Sequence, residues 1–142
     1  MKGLKTLIRI NKLKLEDQQR QLAELEGTSG VFRSQIAAME ESMRRESELA
    51  DQNPDAAHTV GGFVQSTLAR RGTLQASLAE IEKQVTLLRD AVATAFREIK
   101  RFELIMERRE DAARRKAGRQ ERKVEDETAL AVFRRGQRVA TG

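Results

Sequence analysis

The sequence predicts an all-α protein, namely a long antiparallel two-helix coiled coil (a helical hairpin) with a C-terminal helical overhang. Of the 142 residues, 39% are apolar and 35% are charged, with five Phe, no Trp and no Tyr. This composition is typical of long helices and poor in large core side chains. Apolar residues also recur every 3.5 positions in two segments, separated by one segment with helix-breaking residues. We therefore expect a single coiled-coil domain over residues 1–142.

Helix 1 is predicted at about residues 2–50. Stepping alternately by four and three from Leu4 to Ala50 meets apolar residues at ten of fourteen positions. Such a heptad predicts a buried stripe, here called the seam. Asn11 and Gln18 are polar seam positions that help to fix the alignment of the helices. The predicted apolar seam residues of helix 1 include Leu15, Leu22, Leu25, Phe32, Ile36 and Met39.

The stretch "GTSG" at residues 27–30 interrupts this pattern. Two glycines cost a helix interior roughly 2 kcal/mol relative to alanine. The stretch is therefore interpreted either as a hinge or bulge, or as a locally weak helix held by Leu87 and Leu88 opposite.

A loop is predicted at about residues 51–62, because "DQNPDAAHTVGG" holds the only proline, the only histidine and a Gly-Gly pair. Helix 2 is predicted to follow at about residues 63–135. All ten of its seam positions from Leu74 onwards are apolar. They are Leu74, Leu78, Ile81, Val85, Leu88, Val92, Ala95, Ile99, Phe102 and Met106.

Folding the two stripes together predicts that Phe32 lies by Val85 and that Glu46 lies beside Arg71. In this alignment the region from Lys116 to about Arg135 has no opposite helix, which is the predicted overhang. Residues 136–142 are predicted to fray. Leu7, Ile10, Leu13, Leu104 and Ile105 are apolar but lie off the seam, which suggests that a partner covers them.

The charge balance allows several partner classes. The net charge is +5, but 22 acidic residues are interleaved with 27 basic ones. No apolar run is long enough to span a bilayer, and the basic start "MKGLKTLIRINKLKL" lacks the features of a secretory signal. An interfacial membrane helix at this start and a nucleic-acid-binding helix at residues 108–123 remain as alternatives. In the latter, Glu110, Asp111 and Glu121 interrupt the basic run.

The sequence lacks the residue patterns of an enzyme. There is no cysteine, and no GxxxxGK phosphate loop. His58 has no second imidazole with which to build a metal site or a triad, and carboxylates fall mostly on outer helix faces. We therefore predict a non-enzyme with no catalytic, cofactor-binding or metal-binding residues and no small-molecule substrate.

Three segments are distinctive, namely "LIRINKLKLEDQQRQLAELE", "GGFVQSTLARRGTLQASLAEIE" and "AFREIKRFELIMERRE". Together they resemble the flagellar export protein FliJ family in its alphaproteobacterial form. The resemblance implies a cytoplasmic component of the flagellar type III export apparatus, with roles in flagellum biogenesis, motility and chemotaxis. Family members are antiparallel coiled coils similar to the central stalk of the rotary ATP synthase. Their implied partners are the hexameric export ATPase, which they stimulate, the membrane export-gate protein and export chaperones.

The resemblance also implies two contact surfaces. The candidates for contact with the ATPase ring lie at the open end of the hairpin and comprise Leu7, Ile10, Leu13, Leu104, Ile105, Arg108, Arg109, Arg114, Arg115 and Arg119. The candidates for contact with the export gate lie near the loop and comprise Phe63, Gln65, Leu68, Arg70 and Arg71. A holdase-like coiled-coil chaperone is a further alternative, separable by its client.

Overall fold

The protein consists of two long helices joined by a short turn. The computed structural model describes residues 2–141. Helix α1 spans Lys2–Gln52 and helix α2 spans Ala57–Thr141, with a 3-10 turn at Pro54–Ala56 between them. Ion pairs join α1 to α2 at Arg33–Glu82 and at Glu26–Arg89, so the chain direction reverses between the helices. The predicted all-α helical hairpin is confirmed.

Asn53 ends α1 and starts the turn. Its backbone is extended, with φ −136° and ψ 98°, as expected for a residue that precedes a proline. The Asn53 side chain accepts a hydrogen bond of 3.3 Å from the backbone N–H of Asp55, which caps the next helical turn. Pro54 occupies the first helical position, where its missing N–H costs nothing. Local chemistry therefore accounts for the end of α1 and the start of the turn.

The loop predicted at residues 51–62 is much longer than the turn that the structure has. Gly61 and Gly62 lie inside α2. The reason is the seam, because Val60 and Val64 are half-buried and Thr67 is only 3% exposed. Burial of these side chains outweighs the low helix propensity of the two glycines.

The end of the chain also differs from the prediction. The tail 136–142 was predicted to fray, whereas α2 continues to Thr141. Gly142 lies outside the described residues.

The seam forms the core of the hairpin. All sixteen predicted apolar seam residues from Leu15 to Met39 and from Leu74 to Met106 are buried or half-buried. Ile8, Leu15, Val85 and Ile99 are the most buried apolar residues, at 4% to 8% exposure. Because each helix has only one neighbour, most other side chains remain in water.

The alignment of the helices differs from the predicted one by about one heptad. Arg71 donates a hydrogen bond of 3.5 Å to Glu40, and the predicted neighbour Glu46 is not its partner. A turn of four residues after Gln52 also requires the first turns of α2 to lie against the last turns of α1. This places Phe32 opposite Leu78, so the prediction that Phe32 lies by Val85 is wrong. The error arose because the predicted loop was too long and included residues that form the first two helical turns of α2.

The "GTSG" stretch is continuous helix. Residues 27–30 lie within α1, and Ser29 is buried in the seam at 5% exposure. The Thr28 hydroxyl donates a hydrogen bond of 3.1 Å to the carbonyl of Glu24 one turn earlier. Leu88 is half-buried, but Leu87 is 70% exposed, so the prediction that Leu87 holds this stretch is wrong. It lies one position away from the seam and points to solvent.

Contacts along the helices divide the chain into two units. One unit comprises Ile10–Arg97, and the other comprises Met1–Arg9 together with Glu98–Gly142. The single domain over residues 1–142 stays a prediction. In the second unit, every residue from Arg119 to Ala140 is exposed, and this is the part of α2 that corresponds to the predicted overhang.

Candidate functional site

Arginines line one side of α2 after the middle of the chain. At about 100° per residue, Leu104, Arg108, Arg115 and Arg119 lie within about 60° of one another around the helix axis. Arg101 and Arg122 share this side. Arg122 ends the part of the helix, residues 104–122, that was predicted to face the ring, whereas Arg101 lies outside that range. We call the five arginines 101, 108, 115, 119 and 122 the basic face. All five are exposed, and they lie opposite the seam residues of the same helix.

The acidic interruptions of this segment do not lie on the basic face. Glu110 and Glu121 project from the far side of the helix, roughly 130° to 150° from the centre of the face. Asp111 lies at its edge and accepts a short hydrogen bond from Arg114. The interleaving of charges along the sequence therefore resolves into an almost purely basic surface on one side.

Arg109 and Arg114 are separated from the other predicted ring-contact arginines. The helical period turns each of them about 80° or more away from the nearest member of the basic face, in opposite directions. Arg114 is also engaged with Asp111. The five predicted arginines therefore do not form one common surface. Three of them, Arg108, Arg115 and Arg119, lie together on the basic face.

Apolar groups accompany the basic face. Leu104 lies within it and is 46% exposed, while Arg101 stacks over the Phe102 ring at 5.4 Å from its centroid. Such a cation–π contact fixes the guanidinium and covers an apolar ring. Ile105 is half-buried at the side of the seam, so it contributes less exposed surface than predicted. The surface combines fixed positive charge with one accessible leucine.

The predicted ring-contact residues of α1 are exposed. Leu7 is 40% exposed and belongs to the same unit as the basic face. Ile10 and Leu13, which are 43% and 58% exposed, belong to the other unit. Each of these side chains lies off the seam, as the heptad requires.

The predicted gate-contact residues lie on several sides of α2. Phe63 and Arg70 are seven residues apart and share one side, and Phe63 is 39% exposed. Leu68 projects from the opposite flank of the seam, and Gln65 points away from it. Arg71 faces the seam and forms an ion pair with Glu40, at 3.5 Å, so its guanidinium is already engaged. Only Phe63 and Arg70 therefore offer a shared surface.

Sequence reasoning missed Arg101, and did not single out Arg122, because it followed the run of charges and not the helical period. The signal was present, since positions 101, 108, 115 and 122 share one heptad position, and positions 104 and 119 fall on the two heptad positions that flank it around the helix. Grouping charged residues by heptad position would have found the basic face.

Within residues 2–141, no cluster of three or more His, Asp or Glu side chains is arranged to hold a metal ion. Neither described helix contains a stretch that is long and apolar enough to cross a membrane. The groove beside Leu87 is lined by side chains of successive turns of α2 alone, such as Ala79 and Lys83.

Comparison with known proteins gives a family match along almost the whole chain. The model of the family described as "Flagellar FliJ protein" matches residues 1–138. The "Flagellar FliJ protein" of Caulobacter vibrioides strain NA1000 / CB15N is 23% identical over 125 residues, covering 88% of this chain and 90% of the relative. The protein of the same name from strain ATCC 19089 / CIP 103742 / CB 15 gives the same values. No solved structure gives a significant match.

Proposed function

Because the chain belongs to the FliJ family of flagellar proteins, we propose that it is a non-enzymatic component of flagellar type III export that binds and stimulates the hexameric export ATPase. The observation that carries this proposal is the basic face of α2, an exposed, one-sided surface of five arginines around Leu104. A partner with carboxylates arranged along a groove or a ring fits such a surface.

The arginines and the leucine have different tasks in this proposal. Exposed charges steer encounter and select the partner, since they act over about 8 to 10 Å at physiological ionic strength. Leu104, in the middle of the charges, supplies apolar contact that is buried on binding. Leu7, Ile10 and Leu13 are further apolar candidates for the ring, whereas Arg109 and Arg114 contribute charge from the flanks.

The proposal includes a second contact, with the membrane export gate, through the turn-proximal part of α2. Phe63 and Arg70 are the best candidates, because they share one exposed side of the helix. The chain would thereby link the ATPase to the gate as a stalk-like component, located in the cytoplasm and peripherally associated with the export apparatus. Escort of export chaperones would use the remaining exposed surface.

The proposal is tested by measuring ATP hydrolysis by the cognate export ATPase with increasing amounts of the purified chain. We expect stimulation, and we expect it to be lost when Arg108, Arg109, Arg114, Arg115 and Arg119 are changed together to Glu. Far-UV circular dichroism of this variant should remain helical, because all five side chains are exposed. Full stimulation by the helical variant would contradict a ring-contact role for these arginines.

Nucleic-acid binding is the second candidate, and the basic face is the observation that favours it. Phosphates are attracted to aligned arginines irrespective of sequence, and such binding weakens steeply with salt. The family match favours the ATPase as the partner. Titration of generic duplex DNA at two salt concentrations separates the candidates, since tight and steeply salt-dependent binding without ATPase stimulation would support the nucleic-acid function.

A further inference from the structure

The last part of α2 carries three consecutive blocks of different chemistry. Glu125, Asp126 and Glu127 form an acidic block, residues 129–133 ("ALAVF") form an apolar turn, and Arg134, Arg135 and Arg138 form a basic block. We call residues 124–139 the tripartite segment. All of its residues are exposed, with Leu130 at 49% and Phe133 at 62%. A helix that presents these blocks side by side leaves apolar surface in water.

The two charged blocks do not neutralise each other within one chain. Their centres lie about nine residues apart, which is roughly 14 Å along the helix and beyond the three- or four-residue spacing that allows side-chain pairing. In the described chain, none of the three acidic residues forms an ion pair, and neither Arg134 nor Arg135 does. The acidic block at one end of the segment, and Arg134 and Arg135 at the other, therefore carry opposite charges that remain available to a partner.

We propose that the tripartite segment is a self-association surface whose partner is the same segment of a second copy of this chain, in antiparallel orientation. In an antiparallel pair related by a two-fold axis, the acidic block of each copy lies opposite the basic block of the other. A parallel pair would place like charges together. A two-fold interface requires a patch that is complementary to itself, and a segment with both charge signs around an apolar centre meets this requirement.

The apolar centre fits the same arrangement. Leu130 and Phe133 are three residues apart and share one side of the helix, together with Asp126 and Gln137. When Leu130 of one copy lies opposite Phe133 of the other, the two-fold axis repeats the pair, and Asp126 lies opposite Gln137. The contact would bury four large apolar side chains over about sixteen residues, or roughly 24 Å of helix. This is a short interface, so we expect a weak and concentration-dependent dimer.

The test is sedimentation velocity of the full chain over a range of concentrations. We expect a monomer–dimer equilibrium whose dissociation constant rises about tenfold or more when the acidic block is changed to Lys, because each ion pair becomes a repulsion. Changing the basic block to Glu should have the same effect, and the variant with both blocks exchanged should dimerise as the wild type does. A matched control, with Glu107, Glu110 and Glu121 changed to Lys, should leave the dissociation constant within about twofold.

Orientation is tested with a spin label, which is simple to place because the chain has no cysteine. A label on Cys introduced by Glu121→Cys should lie about 30 Å from its counterpart in the antiparallel dimer, and about 10 Å in a parallel one. The proposal is overturned if the chain remains monomeric at every concentration. The same holds if the tripartite segment binds another protein but not a second copy of this chain. A dimer that is insensitive to both block variants, or one with the short label distance, would overturn it as well.

Discussion

Arg89 of α2 donates two hydrogen bonds to Oε1 of Glu26 in α1, at 3.1 Å from Nε and 2.7 Å from Nη2. The contact closes one side of the seam next to the "GTSG" stretch. A comparable bond of 2.6 Å joins Arg33 to Glu82 on the same side of the hairpin. These pairs specify how the helices are aligned, because a shift along the seam would separate all four charges.

The first prediction concerns the energy of this pair. Arg89→Ala and Glu26→Ala should each lower the free energy of unfolding by no more than about 1 kcal/mol, because both side chains are largely exposed. A double-mutant cycle measured by urea denaturation should give a coupling energy of about 0.5 kcal/mol that declines as salt is added. A coupling of several kcal/mol, unchanged by salt, would be inconsistent with a screened surface pair.

The second prediction concerns the seam. Ile99 is 4% exposed, so Ile99→Ala should lower the free energy of unfolding by about 2 to 4 kcal/mol. Leu87→Ala is the matched control, because this leucine is 70% exposed and its truncation should change stability by less than about 0.5 kcal/mol. Equal losses from both substitutions would argue that α2 is rotated relative to the described seam.

The third prediction concerns the glycines of the "GTSG" stretch. Both lie in continuous helix, and a methyl group at either Gly27 or Gly30 would meet no atom within 4 Å. Gly27→Ala and Gly30→Ala should therefore each stabilise the hairpin by about 1 kcal/mol, through helix propensity and a less flexible unfolded chain. Thermal unfolding measures this directly. If the stabilised variant also lost its ability to support motility, the hinge interpretation of the stretch would regain support.

The fourth prediction concerns an ion cluster near the turn. Hydrogen bonds from Arg44, and secondarily from Arg45, lower the pKa of Glu41 to about 2 from its ordinary value of 4.5. A lowered folded-state pKa means that the cluster stabilises the fold above about pH 4.5 and that this stabilisation is lost as the pH falls toward 2. Carboxyl chemical shifts measured by NMR should show Glu41 still ionised at pH 3.5. Arg44→Gln should move its titration back toward the ordinary value, whereas an unchanged midpoint would contradict the assignment.

Much of the fold could be predicted from the sequence because the heptad is a local signal that repeats. The positions that it assigns to the seam, including the polar Asn11 and Gln18, are buried or half-buried in the structure. The turn was harder to predict, because Gly61 and Gly62 favour a loop by propensity and are held in helix by the burial of neighbours such as Thr67. The alignment error of one heptad followed from that single misjudgement.

The candidate site was predictable only in part. The run of charges located the right segment of α2, but a run carries no information on which side of the helix each charge lies. Arg101 was missed and Arg122 was not singled out for this reason. Arg109 and Arg114 were grouped with arginines that point elsewhere. Intrahelical engagement, such as that of Arg114 with Asp111, depends on side-chain conformation and cannot be read from spacing alone.

The most direct measurement of the central claim compares two triple variants in the ATPase stimulation assay. The first variant reverses the charge of the basic face by changing Arg108, Arg115 and Arg119 to Glu. The second variant makes the same charge change further along the same helix, at Arg134, Arg135 and Arg138. We predict that the first variant loses stimulation and that the second retains it, with both proteins equally helical. Equal stimulation by the two variants, or loss with the second alone, would contradict the assignment of the basic face as the contact surface.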